Sequence, residues 1–265
     1  MAKGNDGNYL QHSLEVSAAL HLAALTTERC LNVALTHGMG PYEPCGNVPN
    51  GQTRRLLDDS LSAARTPPTN GEPVIVDAYR RTNASRANYP NTGELLAATI
   101  GRDHLVGAIT ETTTAKYAQL TDKWQDSRVL PVNASWRQEV AQGGALQRAP
   151  VHPWLFSMDP MTYREDGPED DDKIYRADRD RISNVLSQYV STDMPGVATL
   201  FVFAVRPNAR PLFWSFADDV ATDTGMTINA FWLTHQGGNR NLAAVLSSKI
   251  EVRTDWLPPR LNVGR

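Results

Sequence analysis

An apolar run that leads directly into two glycines constrains the fold of this chain more than any other feature. Leu31–Thr36 has the character of a buried strand, and Gly38 and Gly40 follow it closely. Glycine permits a tight turn and lets the backbone approach a ligand, because no Cβ stands in the way. Two glycines after a strand also make an ordinary turn, so the pattern needs support from elsewhere in the sequence.

Strand-like and helix-like segments alternate along the rest of the chain. Apolar residues at helical spacing predict an amphipathic helix over Asp6–Leu25, and Val197–Val205 is the most strand-like run. This alternation predicts a mainly parallel sheet with helices on both faces, an α/β, Rossmann-like fold. Further strands are predicted at Val74–Tyr79, His104–Glu111, Arg128–Asn133, Trp154–Asp159, Met226–Thr234 and Lys249–Arg253, and further helices at Gln52–Ala64, Thr92–Ile100, Thr112–Trp124, Ser135–Ala141, Tyr175–Val190 and Arg240–Ser247.

The domain organisation follows from length and from the distribution of proline and glycine. A chain of 265 residues can bury a full core as one domain. Prolines and glycines are frequent over residues 41–73, before the next strong strand begins. We therefore expect a single domain, residues 1–265, with a loop and helical insert over residues 41–100.

The charge pattern gives only weak support to a nucleic-acid partner. The net charge is −3, whereas dedicated nucleic-acid binders usually carry a basic footprint. Basic residues cluster only locally, and the acidic run Glu169–Asp172 is expected to form a solvated loop. No apolar run is long enough to span a bilayer, so no membrane partner is expected.

Cysteines and histidines are few and widely separated in the sequence. Cys30 is interpreted as a core residue at the start of a strand and Cys45 as an incidental loop thiol. Neither has metal-ligand spacing, and no histidine pair or carboxylate–histidine motif is present, so no metal site is expected. Two cysteines are too few for a disulfide framework, which favours a cytoplasmic location.

Polar residues stand at the predicted ends of three strands. His37, Gly38 and Gly40 follow the first strand, Glu111 ends another, and Asp159 ends a third. Ligands of open α/β sheets bind beyond the carboxyl ends of the strands, where the strand order reverses. These ends therefore predict one shared site for a nucleotide-type cofactor.

Glu111, and Asn133 at the end of a further strand, each admit more than one interpretation. Glu111 can accept the ribose hydroxyls of an adenosine-type cofactor, or it can cap the helix that begins near Thr112–Thr114. Asn133, after a further strand, can bond an adenine edge or lie in a plain turn. The distance from Gly40 to Glu111 is much longer than the ~20 residues of a simple dinucleotide fold, which argues against an ordinary NAD site.

Among the predicted strand ends, the segment Asp159–Tyr163 has the residues best suited to binding a reacting group. Proline fixes the backbone after Asp159, so the carboxylate and the Pro160 carbonyl can face the same point. Two such acceptors suit an amino group with two N–H donors, and Tyr163 could stack on the attached base. An Asp-Pro pair after a strand is also an ordinary turn start.

Together these motifs resemble the bacterial large-subunit ribosomal-RNA adenine-N6 methyltransferases and their D-P-P-Y relatives. That family begins with a Lys-His pair in a helix and then has a strand followed by Thr-His-Ala-Gly-Ala-Gly-Arg-Tyr. It continues with Tyr-Pro-Gly-Ser, a long insert, a strand ending in Glu, Asp-Pro-Pro-Tyr, and Gly-Met-x-x-Ile-Asn-Pro-Pro-Trp. The similar segments here, in the same order, are Gln11-His12, Thr36–Tyr42, Tyr89–Gly93, Ile109–Glu111, Asp159–Tyr163 and Gly225–Trp232.

The resemblance implies a class I methyltransferase fold with S-adenosylmethionine as the cofactor. An amino nitrogen would attack the sulfonium methyl in line, with catalysis by positioning and electrostatics. The residues implied at the methyl acceptor are Asp159, Pro160 and Tyr163. The residues implied at the cofactor are His12, His37, Gly38, Gly40, Thr92, Glu111 and Asn133.

The sequence departs from the family pattern at several of these positions. Gln11 replaces a lysine, Asn133 replaces an acid, and Met161 replaces the second proline, with one added residue before Tyr163. Two functions are therefore expected as alternatives. The first is an S-adenosylmethionine-dependent methyltransferase acting on an amino group of a nucleic-acid base, adenine N6. The second is a catalytically degraded methyltransferase-like protein with a binding or accessory role.

Overall fold

One eight-stranded sheet forms the centre of the computed structural model. Its strand order is β12-β10-β11-β9-β6-β1-β4-β5, and two short pairs, β2-β3 and β7-β8, lie outside it. The strands are β1 Leu31–Leu35, β2 Tyr42–Glu43, β3 Tyr89–Pro90, β4 Leu105–Thr110, β5 Val129–Val132, β6 Trp154–Met158, β7 Thr162–Arg164, β8 Lys173–Tyr175, β9 Val197–Val205, β10 Thr227–Thr234, β11 Arg240–Ser248 and β12 Asn262–Val263. The structure describes residues 5–36, 38, 40–47, 54–138, 152–158, 162–171, 173–190, 196–205, 207–234, 240–250, 252, 257–258 and 262–264.

The sheet is mainly parallel, which confirms the predicted fold class. Strands β5, β4, β1, β6 and β9 run parallel to one another, whereas β11 is antiparallel to both β9 and β10. From β1 the chain adds β4 and then β5 on one side, and β6 and β9 follow on the other. The strand order therefore reverses between β1 and β6, the place where open α/β sheets bind ligands.

Helices cover both faces of the sheet. One face carries α1 Asp6–Ala23, α2 Arg55–Ala63, α3 Val74–Arg81, α4 Thr92–Ile100 and α5 Thr114–Trp124, and the other carries α6 Arg179–Val190 and α7 Arg210–Thr224. The strand side chains divide accordingly. Leu155 of β6 joins the core under α1, while Trp154 and Phe156 join the core under α6 and α7. This two-residue alternation is the normal consequence of the β pleat. Among the described helices, none combines the length and apolar character needed to cross a bilayer.

Helix α1 is buried along nearly its whole length. The expectation of an amphipathic helix was wrong, because polar residues such as Gln11, His12 and Glu15 are as deeply buried as Leu14. The helix lies between the sheet and the layer formed by α2, α3 and α4, so it has no solvent face. Burial of polar side chains is costly unless they are hydrogen-bonded, and Gln11 and Glu15 are bonded to each other.

The Val74–Tyr79 segment is helix α3 and not the short strand expected from its β-branched residues. Intrinsic propensity is a weak preference that packing overrides. Ile75, Ala78 and Tyr79 are buried at helical spacing against the core, and Asp77 pairs with Arg81 one turn later at 2.7 Å.

The Arg240–Ser247 segment is strand β11, although its leucines and alanines favoured a helix in the sequence. Leu242, Ala244 and Leu246 face one core cluster, while Ala243 and Val245 face another. A strand that is apolar on both faces shows no alternation of polarity, so its sequence resembles a buried helix. The closing strand expected at Lys249–Arg253 is also absent over Lys249 and Ile250, where the chain has left the sheet.

Gly107 allows the closest approach between β4 and β1. Its φ is 140°, and a Cβ at this position would lie 2.0 Å from the Val33 carbonyl oxygen. We expect Gly107→Ala to lower the free energy of unfolding by about 3 kcal/mol or more. An alanine is strained at this φ and its Cβ collides with the Val33 carbonyl, and both effects destabilise the folded state. Gly71→Ala is the matched control: φ is 75° but nothing lies within 4 Å, so a loss of about 1 kcal/mol is expected. Urea denaturation measures both, and equal losses would contradict the proposed collision.

Candidate functional site

The carboxyl ends of β1, β4 and β6 are joined by hydrogen bonds at one edge of the sheet. The backbone N–H and the hydroxyl of Thr36 both donate to the Ser157 carbonyl, each at 3.0 Å. The Thr110 hydroxyl donates to the Thr36 carbonyl at 2.7 Å, and the Gly38 N–H donates to the Thr110 carbonyl at 2.7 Å. The ends of these three strands therefore meet, whereas His37 and Asp159, the residues named there from the sequence, lie outside the described residues.

Internal packing alone already requires glycine at position 38. A Cβ there would come within 2.5 Å of Leu120 and 2.6 Å of Ile109. The Gly38 carbonyl accepts a hydrogen bond from the Asn91 amide at 2.8 Å, and Asn91 also caps the first turn of α4. The Gly40 N–H donates to the Glu43 carboxylate at 2.8 Å. Asn91 at the start of α4 and Glu43 therefore hold the glycine turn in place.

Glu111 follows β4 at the same edge and is almost fully buried. Its backbone N–H donates to Val132, and its Oε1 accepts the Thr113 N–H at 2.7 Å. Thr113 is the N-cap residue of α5, so this hydrogen bond orders the turn that leads into the helix and does not cap an N–H of its first turn. Binding of a ribose by Glu111 stays a prediction. Asn133 comes directly after β5 and is exposed at this edge.

A buried carboxylate, Glu15, connects three elements beside the end of β6. Its oxygens accept hydrogen bonds from Ser157 of β6, from Thr92 of α4 at 2.8 Å, and from Gln11 of α1 at 3.1 Å. Burial raises its pKa from 4.5 to about 7, and the three donors oppose that rise. The sequence predicted that Thr92 contacts the cofactor. In the structure its hydroxyl donates a hydrogen bond to the Glu15 carboxylate.

His12 lies in a buried aromatic group next to this network. Its Nδ1 is 3.0 Å from the Tyr89 hydroxyl and 3.5 Å from the Tyr79 hydroxyl, and its ring stacks on Tyr89 with centroids 5.4 Å apart. Tyr79 and Tyr89 also share a hydrogen bond of 2.9 Å. The predicted contact of His12 with a cofactor stays a prediction, and these contacts account for its position in the core.

Tyr163 lies next to an open cavity of about 420 Å³. Its ring packs on Phe216 of α7 with centroids 5.3 Å apart, and burial raises the pKa of its phenol. Basic and aromatic side chains form part of the cavity wall, including Arg164, Lys173 and Tyr175, together with Glu165 and Asp166. Asp159 and Pro160, the other two residues expected at the acceptor, lie outside the described residues.

Arg137 anchors the acidic segment that was expected to be a solvated loop. It makes two hydrogen bonds of 2.9 Å to Asp178 and one of 3.1 Å to Asp171. The Arg137 and Asp178 side chains are 6% and 3% exposed, so this ion pair is almost fully removed from water. Arg137 therefore neutralises part of the negative charge of the acidic segment, although Glu169 remains exposed. Asp172 lies outside the described residues.

The sequence analysis did not identify Glu15, Ser157 or Arg137 as residues that make buried hydrogen bonds between distant parts of the chain. The one available signal was the pair Gln11 and Glu15, which stand one helical turn apart in the first predicted helix. Ser157 and Arg137 carry no local pattern, because their partners lie more than a hundred and about forty residues away respectively.

The sheet order and the joined strand ends define an α/β protein with a Rossmann-like fold. A solved structure with this architecture is that of a Legionella pneumophila protein with the family designation DUF519. It matches with a TM-score of 0.63 and 13% sequence identity, over 92% of this chain and 85% of that chain. At this identity the similarity shows a shared fold alone. No protein-family model matches this sequence, and no curated protein is detectably similar.

The raised pKa of Glu15 predicts a pH-dependent loss of stability. The folded state holds its proton up to about pH 7, whereas the unfolded state releases it near pH 4.5. The free energy of unfolding should therefore fall as pH rises through this range, by up to about 1.4 kcal/mol per pH unit and about 3 kcal/mol in total. Glu15→Gln should remove this contribution.

Urea denaturation of wild type and Glu15→Gln between pH 4.5 and 8 measures the difference. The exposed Glu165→Gln serves as the matched control and should follow the wild-type pH profile. A stability difference between wild type and Glu15→Gln that is constant over this range would show that Glu15 titrates normally.

Proposed function

We propose that this chain is an S-adenosylmethionine-dependent methyltransferase that acts on an amino group of a nucleic-acid base, adenine N6. The observation that carries the proposal is the meeting of the β1, β4 and β6 carboxyl ends where the strand order reverses. Three of the six segments that resemble the adenine-N6 methyltransferases, Thr36–Tyr42, Ile109–Glu111 and Asp159–Tyr163, begin at or follow these strand ends in the sequence.

The position of β11 supports a methyltransferase over a dinucleotide-binding enzyme. Strands β5-β4-β1-β6-β9 follow the 3-2-1-4-5 order of the nucleotide-binding folds, where a sixth parallel strand comes next. Here the antiparallel β11 lies between β9 and β10. In the class I methyltransferase fold implied by the sequence resemblance, an antiparallel strand takes this position.

The donor and acceptor chemistry at the edge suits an adenosine-bearing cofactor. Glu111 offers carboxylate oxygens, which are the acceptors that a ribose diol requires. Asn133 offers both an amide donor and an amide acceptor at the neighbouring strand end, as an adenine edge requires. When bound, S-adenosylmethionine would supply an activated methyl group. The residues of this chain would only need to orient it and to exclude water.

The acceptor side of the site lies beyond β6. Asp159 and Pro160 come directly after Met158, the last residue of this strand, and we assign them to the acceptor side on that ground. Their carboxylate and carbonyl oxygens would each accept one N–H of an amino group and hold its lone pair toward the methyl group. Such catalysis requires positioning and charge stabilisation but no strong base.

The cavity next to Tyr163 supports a nucleic-acid substrate. Its aromatic residues, Tyr163 and Tyr175, have the chemistry to stack on bases, and Arg164 and Lys173 have the charge to contact phosphates. The lining residues Tyr163 and Arg164 follow the acceptor segment closely in the chain, and we assign the cavity to an extruded base.

Cofactor binding tests the first half of this proposal. Isothermal titration with S-adenosylmethionine and S-adenosylhomocysteine should show one site per chain. Glu111→Gln should weaken binding about tenfold or more, because a hydrogen bond to a charged group is worth roughly 1.5–3 kcal/mol. Asp126→Asn, an exposed acid before β5 at the other edge of the sheet, should leave the affinity unchanged. Absence of binding at millimolar ligand would contradict the proposal.

Methyl transfer tests the second half. Radiolabelled S-adenosylmethionine incubated with RNA and DNA should label N6-methyladenosine in nucleoside digests. Asp159→Ala should abolish the label and leave cofactor affinity nearly intact. A large loss of cofactor affinity would instead assign Asp159 to the cofactor. Cofactor binding by the wild type without any transfer would favour the alternative of a degraded, binding-only protein.

A further inference from the structure

We propose that Glu28, Cys30 and His152, with His104 beside them, form a zinc-binding site at the amino edge of the sheet. The ligand atoms of Glu28, Cys30 and His152 all lie within 4.8 Å of one another. The Cys30 Sγ also lies 3.9 Å from the Nδ1 of His104. Two imidazoles, a thiol and a carboxylate are thus gathered at the end of the sheet opposite the candidate methyltransferase site.

Parallel pairing explains why these residues meet. Cys30 comes immediately before β1, His104 immediately before β4, and His152 two residues before β6. Extending the register by one residue on the β4 side and by two on the β6 side places Cys30 between the two histidines. The pairs that define this register are Leu31 with Leu105 and Asn32 with Trp154. The expectation of no metal site relied on local spacing, which does not detect ligands on three different strands.

The backbone around the cluster is held in place. The Asn32 side-chain amide donates to the His152 carbonyl at 2.9 Å, and Asn32 is fully buried. Arg29 adopts a left-handed φ of 55° in the turn that carries Glu28. On the other side, the His104 ring lies over Gly101, where a Cβ would come within 3.0 Å of it. Contacts of this kind fix the orientation of the residues that bind the metal directly, and they raise its affinity.

The ligand chemistry favours zinc over harder cations. Thiolate and imidazole are ligands of zinc, whereas calcium and magnesium prefer sites made only of oxygen. With metal–ligand distances of about 2.0–2.3 Å, tetrahedral zinc ligands lie roughly 3.3–3.7 Å apart, so separations within 4.8 Å need a contraction of at most about 1 Å. Binding would replace the Cys30 thiol proton with a zinc–sulfur bond and release that proton to solvent. The thiolate and the Glu28 carboxylate would then balance the charge of the ion.

Metal titration of the full chain, with any histidine tag removed, tests the site. Equilibrium dialysis against micromolar zinc should give one ion per chain. Cobalt substitution should give a thiolate-to-cobalt charge-transfer band in the near ultraviolet. Because the chain has only two cysteines, Cys30→Ala should abolish this band and lower zinc affinity about tenfold or more, whereas Cys45→Ala should change neither.

A second variant covers the case in which the buried Cys30 cannot be replaced without unfolding. Glu28 is exposed, so Glu28→Gln should fold normally and still weaken zinc binding several-fold. Failure of the wild type to bind zinc would overturn the proposal, as would a cobalt band that disappears in Cys45→Ala. Neither result would bear on S-adenosylmethionine binding, which is measured separately at the opposite edge.

Discussion

The two-sided parallel pairing of β1 determines where chemistry can occur in this molecule. All five residues of β1 are buried, and the strand is hydrogen-bonded to β4 on one side and to β6 on the other. Parallel pairing brings the amino ends of all three strands to one edge and the carboxyl ends to the opposite edge. Gly107 permits the β4 side of this pairing because any side chain there would meet the Val33 carbonyl. Both proposed sites depend on this alignment.

The buried polar face of α1 determines how the helical layer sits on that sheet. Removing Glu15 from water is costly, and three hydrogen-bond donors reduce the cost. One donor belongs to α1 itself, but Thr92 belongs to α4 and Ser157 to β6. Movement of any of these elements would leave a buried carboxylate with fewer donors, which is more unfavourable than the loss of an apolar contact. The network thus selects one arrangement of α1, α4 and the end of β6.

The sequence predicted those parts of the structure that local patterns determine. Strands such as β4 and β9 are apolar runs between turn residues, and the motifs around Gly38 and Glu111 lie at strand ends that could be located from the same pattern. Strand β11 and helix α3 could not be assigned, because their type is decided by neighbours on both faces. The Glu15 network and the Cys30 cluster were missed for a related reason. Each joins residues of ordinary local character that only strand register and helix packing bring together.

The two edges of the sheet are separated by the length of β1, which limits what an ion at one edge can do at the other. Five residues at about 3.3 Å each give roughly 17 Å, many times the ~2 Å length of a zinc–ligand bond. A zinc ion beside Cys30 could therefore neither polarise a group held near Asp159 nor carry charge for methyl transfer. Its effect would be to fix the amino ends of β1, β4 and β6 against sliding. Because a one-residue slip in any of these strands would misplace its carboxyl end, the ion would act on the distant site only through the shared register.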